Sequence, residues 1–327
     1  MAGFSGGSRV ASIAAIYNGG VKGVIGCGAG LPGGAQPSVY KFDYFGIVGT
    51  ADFNMNEMLH LDEPMTRGGM RHFITTFPGP HDWPPVGVMD EGFQWITMNA
   101  MRDGNLRRDD EAITRIMTGF NQRIADARQQ NHFIAAADFC KEAIQFADGL
   151  APDSQFKKQL DAIEQLPAYK KQLSYREIIM KKEAEEQNFF ENSLMTKDIP
   201  WWRNRISLMG SKYMKGKDPE DTLMNARLKA FLSLLCYSYA NAAMKQHSDP
   251  EAEKVITIYE AADPPNSEPN YMHAILLASR SENEAATVQL QIAVTKGFAD
   301  KIRLMQQPEF QSLKSSPAWY DLLKTMK

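Results

Sequence analysis

A serine set among glycines stands near the start of the chain, in Gly3-Phe4-Ser5-Gly6-Gly7. A Gly-x-Ser-x-Gly motif presents a serine hydroxyl as a nucleophile when it forms a sharp turn between a strand and a helix. Residues 8–17 are small and apolar and end at Asn18-Gly19-Gly20, which predicts the helix. We expect no strand before the turn, because only two residues precede Gly3.

A serine nucleophile needs a base to take its proton and a carboxylate to orient that base. Asp52 follows a predicted strand at residues 44–49, and His81 follows another at residues 72–77. Loops at the C-terminal ends of parallel strands build the sites of open α/β sheets, so we expect Ser5, Asp52 and His81 to meet there. Plainer roles stay open: Asp52 could cap a helix at residues 55–61, and His81 could be an ordinary loop histidine.

The first 103 residues predict an α/β layout that could position these side chains. Short apolar runs bounded by glycine and proline predict buried parallel strands, at residues 21–28, 44–49 and 72–77. Helices are expected at residues 8–17, 55–61 and 86–101. The order of helix, strand, strand, helix, strand and helix is typical of α/β proteins.

From about residue 104 to residue 327 the sequence loses glycine and becomes periodic, which predicts an all-α domain. Helices are expected at residues 109–131, 133–147, 154–166, 174–194, 201–213, 223–245, 251–262, 271–279 and 284–296. The predicted organisation is therefore an α/β domain at residues 1–103 followed by a helical domain at residues 104–327.

Residues 3 to about 101 resemble the C-terminal half of an α/β-hydrolase of the esterase and dienelactone-hydrolase kind. The elbow at Ser5, an Asp after one strand and Gly79-Pro80-His81-Asp82-Trp83-Pro84 after the next carry the resemblance. It implies that Ser5 is the nucleophile, His81 the base and Asp52 the acid, with the Gly6 N–H as one oxyanion donor. It implies a small ester or acyl substrate.

The sequence has no counterpart of the family's first four strands, of most of the elbow strand or of the loop that supplies a second oxyanion donor. Either the chain is a truncated product of a longer gene, or something else covers the exposed sheet edge. A homodimer or a complementing chain would do so. Activity would then depend on whether the absent strands are supplied.

The helical part resembles a tetratricopeptide array, in which helix pairs repeat about every 34 residues. Residues 270–278 with 283–294 carry the resemblance best, residues 231–243 with 252–262 form a looser copy, and residues 133–147 could begin a third. The resemblance implies a protein or peptide partner. The alternative function is therefore a non-catalytic interaction scaffold that acts through this domain.

Composition excludes several other classes of function. A net charge of −3 gives no reason to expect nucleic acid, and no apolar run approaches the length of a transmembrane segment. Three scattered cysteines and single histidines predict neither disulfides nor a metal site, and no cofactor is expected. The compartment stays open, because the chain contains no signal peptide and a targeting segment could precede it.

Overall fold

A computed structural model describes residues 1–34, 36–213 and 219–326. These residues form a mixed α/β protein, with one four-stranded parallel sheet and a helix-rich remainder. The strands are β1 (Ala2–Phe4), β2 (Gly23–Cys27), β3 (Asp43–Gly49) and β4 (His72–Phe77), and their order in the sheet is the order of the chain.

The register of the sheet aligns the C-terminal ends of its strands. Phe4 lies opposite Cys27, and Gly49 lies opposite Phe77. Because all four strands are parallel, the loops that follow them emerge on the same side of the sheet. The residues of β2 are all buried, as the apolar runs predict for a parallel sheet covered on both faces.

Helices cover both faces of the sheet. On one face, Ala11 and Ala15 of α1 (Gly6–Tyr17) pack with Val24 and Tyr44. On the other face, α4 (Val86–Arg102) supplies Trp95 and Met98 to a core that includes the sheet residues Ile25, Phe45 and Ile47. Two short helices follow β3, α2 (Met55–Leu59) and α3 (Asp62–Arg67).

The other described helices follow α4 along the chain. They are α5 (Asp110–Gln129), α6 (Phe133–Ala147), α7 (Ser154–Glu164), α8 (Pro167–Ser193), α9 (Ile199–Tyr213), α10 (Pro219–Lys245), α11 (Asp249–Ala262), α12 (Glu268–Ser279), α13 (Asn283–Thr295), α14 (Lys301–Gln306) and α15 (Pro317–Thr325). All nine helices expected from periodicity are present, with ends that shift by a few residues and with α8 starting earlier, at Pro167.

Two compact units divide the chain, Met1–Lys181 and Lys182–Lys327. The expected boundary near residue 103 coincides with the end of α4, but the first compact unit continues beyond it. Phe120 of α5, Phe146 of α6 and Phe156 of α7 belong to the same hydrophobic cluster as Phe45 and Trp95. The sheet and the helices α5, α6 and α7 therefore share one core.

The second unit, taken by itself, is helical in its described part. A cluster formed by Tyr271, Leu290, Phe310 and Trp319 makes its C-terminal core. Elsewhere in this unit the side chains of Glu183 and Arg227 are fully buried, and the Arg227 Nε lies 2.8 and 3.0 Å from the two carboxylate oxygens. A buried charge of this kind is tolerated because it is paired.

Three helix hairpins share one turn. Asn131, His247 and Ser281 have φ values of 59°, 56° and 63°, and each stands two residues before a helix, α6, α11 or α13. The next N–H in each case donates to a carbonyl five residues back, in the pairs His132–Ala127 (2.8 Å), Ser248–Ala243 (2.9 Å) and Glu282–Leu277 (2.9 Å). This left-handed residue with a long return hydrogen bond is a Schellman helix ending.

One expectation for the α/β part is wrong, and one helix was missed. A strand does precede Ser5, because Ala2–Phe4 pairs with β2, although three residues are too few to show a sequence pattern. The helix expected at residues 55–61 is present as α2, which ends at Leu59, and the helix α3 that begins at Asp62 was not predicted.

Candidate active site

Ser5 stands at a sharp turn between β1 and α1. Its backbone angles are φ 52° and ψ −124°, a conformation that non-glycine residues rarely adopt. The Ser5 N–H donates to the carbonyl of Cys27 at 2.8 Å, which fixes the turn to the end of β2. A Cβ on Gly3 would lie 2.2 Å from the Gly7 carbonyl oxygen, so the turn can close only because Gly3 has no side chain.

His81 connects the serine to a carboxylate. Its Nε2 lies 3.0 Å from the Ser5 Oγ, and its Nδ1 lies 2.9 Å from each carboxylate oxygen of Asp52. An ionised carboxylate only accepts hydrogen bonds, so these partners assign the proton to Nδ1 and leave Nε2 to accept from the serine hydroxyl. The structure therefore brings together the three residues expected from the sequence.

Asp52 is fully buried in the loop after β3. Besides His81, its carboxylate accepts the backbone N–H of Asn54 at 2.8 Å. The Asn54 side chain in turn donates to the carbonyl of Gly28 at 2.7 Å. Asn54 thus ties the Asp52 loop to the loop after β2, and Asp52 does not simply cap the helix that follows it.

The loops that carry Asp52 and His81 are joined through their backbones. The N–H of Thr50 donates to Phe77 and that of Ala51 to Gly79, both at 2.8 Å. A Cβ on Gly49 would lie 2.4 Å from the Gly79 carbonyl oxygen, so this approach also requires a glycine. The separation of Asp52 and His81 is therefore set by backbone hydrogen bonds between the C-terminal ends of β3 and β4.

Gly6 is the first residue of α1, and the first turn of a helix has N–H groups without intrahelical acceptors. The helix dipole also favours negative charge there, and no acidic residue lies in this turn. The Gly6 N–H is therefore placed beside Ser5 in a setting that suits an oxyanion.

Cys27 is a second potential nucleophile at this end of the sheet, since it lies opposite Phe4. Burial raises the pKa of its thiol to about 12. The thiol consequently stays protonated at neutral pH, and only the thiolate is strongly nucleophilic. The Ser5 hydroxyl, in contrast, lies within hydrogen-bonding distance of the His81 imidazole.

Two residues of the site escaped the sequence analysis. Gly28 has φ 64°, and a Cβ there would lie 2.7 Å from the Phe4 ring and 3.2 Å from both the Asp52 Oδ2 and the His81 Cε1. Asn54 acts through the hydrogen bonds described above. Gly28 stands in the glycine-rich stretch Gly26-Cys27-Gly28-Ala29-Gly30, which is typical of a tight turn, whereas Asn54 gives no signal beyond its closeness to Asp52.

Other kinds of site were sought in the described part of the chain. No cluster there of histidine, cysteine and acidic side chains could hold a metal ion. Within the same residues, no helix combines the length and apolar character needed to cross a bilayer. Comparisons with protein-family models, curated proteins and solved structures found no match to this chain.

Proposed function

We propose that this protein is a serine hydrolase that cleaves an ester or a related acyl bond. The observation that carries the proposal is the chain of contacts from the Ser5 Oγ through His81 to the buried Asp52 carboxylate. A nucleophile bonded to a base, with the base oriented by a third group, is the arrangement used for acyl transfer. The strained turn at Ser5 supports the same proposal.

In the proposed reaction the Ser5 Oγ attacks the carbonyl carbon while the His81 Nε2 takes the hydroxyl proton. Asp52 holds the Nδ1–H and stabilises the imidazolium that forms. The Gly6 N–H donates to the oxyanion. Removal of one such donor lowers the reaction rate by roughly 10²–10³-fold. His81 then gives its proton to the leaving oxygen, and a water deprotonated by His81 releases the acid.

A fluorophosphonate probe tests the proposal, because it labels serines that an adjacent base activates. We expect the wild-type chain to be labelled on Ser5, and Ser5→Ala and His81→Ala to lose the label while keeping their circular dichroism. Ser38→Ala, which removes an exposed serine elsewhere, is the control and should label normally. Equal labelling of wild type and Ser5→Ala would remove Ser5 from the mechanism.

For the fold, we propose that the sheet with its two covering helices is α/β-hydrolase-like and that the later helices form a tetratricopeptide-like array. The shared turns support the array, since His247 and Ser281 are 34 residues apart. Such arrays bind proteins or peptides, which is the second candidate function. The labelling experiment separates the two, since a chain without an activated serine keeps only the binding role.

A further inference from the structure

A row of aromatic rings extends from the candidate active site toward solvent. The ring of His81 lies 4.3 Å from that of Phe53 and 4.7 Å from that of Phe4, measured between centroids. The Phe4 ring in turn lies 5.5 Å from the Trp83 ring. We call Phe53, Phe4 and Trp83 the aromatic row.

The members of the row have different surroundings. Phe4 and Phe53 are partly buried and contact the imidazole directly, so they help to hold its orientation. Trp83 contacts Phe4, and 53% of its surface stays exposed. An indole that is half in water contributes little to the core, which leaves its outer surface available to a ligand.

The backbone holds Trp83 in this position. Pro80 precedes it in the loop after β4, and Pro84 and Pro85 follow it before α4 begins at Val86. Each proline fixes its own φ, and the residue before a proline is also restricted. A ring held in this way binds a ligand with a small loss of conformational entropy.

The charge beside the row disfavours an anionic ligand. Asp82 is exposed, and its carboxylate accepts the N–H of Trp83 at 2.7 Å. An anionic group placed against Trp83 would meet this negative charge. A flat uncharged group would instead stack on the ring, where aromatic pairs gain free energy beyond the area that they bury.

We propose that Trp83 and Phe4 form a subsite for a planar, uncharged apolar group of the substrate, such as an aryl ester carries. The subsite rests on the proposed function, because it names the substrate class of the Ser5 site. Trp83 is then a specificity-determining residue: it contacts the substrate away from the bond that breaks and takes no part in moving protons.

Binding to the full chain carrying Ser5→Ala tests the subsite without requiring hydrolysis. Ligand-observed NMR would follow three probes: 1-naphthyl acetate, methyl acetate and acetylcholine. We expect 1-naphthyl acetate to bind, and Trp83→Ala added to this chain to weaken its binding about tenfold, with Trp83→Phe restoring most of the affinity. Tyr17→Ala, which removes an aromatic ring 87% exposed on α1, is the matched control and should leave binding unchanged.

Three results would overturn the subsite: no binding of 1-naphthyl acetate, equal affinity with and without Trp83, or tighter binding of acetylcholine. The last would indicate a cation site built from the same rings. Labelling of Ser5 by fluorophosphonate is measured separately, so a chain that binds the naphthyl ester but does not label would lose the proposed function and keep the aromatic subsite.

Discussion

The backbone of Ser5 is strained, and this residue carries the hydroxyl that is proposed to react. Its φ of 52° and ψ of −124° lie outside the regions that L-residues occupy readily. A residue in such a conformation costs about 1–3 kcal/mol and persists only because its surroundings hold it. Here two features hold the conformation: the hydrogen bond from the Ser5 N–H to the Cys27 carbonyl and the close packing of β1 against α1.

Replacing Ser5 by glycine should therefore stabilise the fold while removing the nucleophile. Glycine relieves the strain but adds freedom to the unfolded chain, so we expect Ser5→Gly to be about 1 kcal/mol more stable than Ser5→Ala. Urea denaturation of the two variants measures the difference, and both lack the hydroxyl. A glycine variant less stable than the alanine variant would show that the turn is not strained.

The site residues differ in how visible they are in the sequence. Ser5, Asp52 and His81 were found because a local motif and strand ends place them. Gly28 and Asn54 act through contacts with residues distant in the chain, and the residues beside them do not reveal those contacts. Sequence patterns report local geometry, so contacts between loops that follow different strands become visible only in the structure.

At the scale of elements, the junction of β1 with α1 depends on how closely strand and helix approach. The missing side chain of Gly3 leaves room for the Gly7 carbonyl, while a Cβ on Gly7 itself would meet nothing within 4 Å. Two glycines of one motif thus have different roles: one is a steric requirement of the turn and the other stands in open space.

Gly3→Ala should consequently destabilise the protein by at least about 2 kcal/mol, since backbone atoms cannot yield as a flexible side chain would. Gly7→Ala, in the first turns of α1, should be neutral or slightly stabilising because alanine favours helix. Thermal unfolding followed by circular dichroism compares the two. Similar melting temperatures for both variants would contradict the close packing of β1 on α1.

The long helices were predicted more fully than the short elements, since β1, α3, α14 and α15 had no predicted counterpart. Long periodic stretches such as residues 133–147 specify a helix by themselves, and α6 has those bounds. The short strand β1 is stabilised by its pairing with β2, which no three-residue pattern reveals. The shared hairpin turns were also hidden, because Asn131, His247 and Ser281 are different residue types in one conformation.

At the scale of the molecule, the first unit contains a buried acid, Glu142, beside a partly buried one, Glu91. The Arg123 guanidinium lies 2.7 Å from Glu91 on α4 and 3.0 Å from Glu142 on α6. Burial raises the pKa of Glu142 to about 8, with Arg123 opposing and Glu91 adding to the shift. The pKa of Glu91 is raised as well, mainly by burial.

This pair makes stability depend on pH. An acid whose pKa is raised on folding binds more protons in the folded than in the unfolded chain between the two pKa values. The free energy of unfolding should therefore fall as the pH rises from about 4.5 to about 8. Melting temperatures across this range measure the effect, which Glu142→Gln should flatten. A variant with the same slope as wild type would exclude Glu142 as the cause.

The hydrophobic cluster that joins Phe45 and Trp95 to Phe120, Phe146 and Phe156 has a practical consequence for anyone dividing this gene. The change in composition near residue 104 suggests a place to divide the chain, but a cut there would split one hydrophobic core. Both fragments would then expose apolar surface. Fusions and separately expressed pieces should keep Met1–Lys181 together. Because Lys181 lies inside α8, a junction belongs after the end of that helix at Ser193 and not at the unit boundary itself.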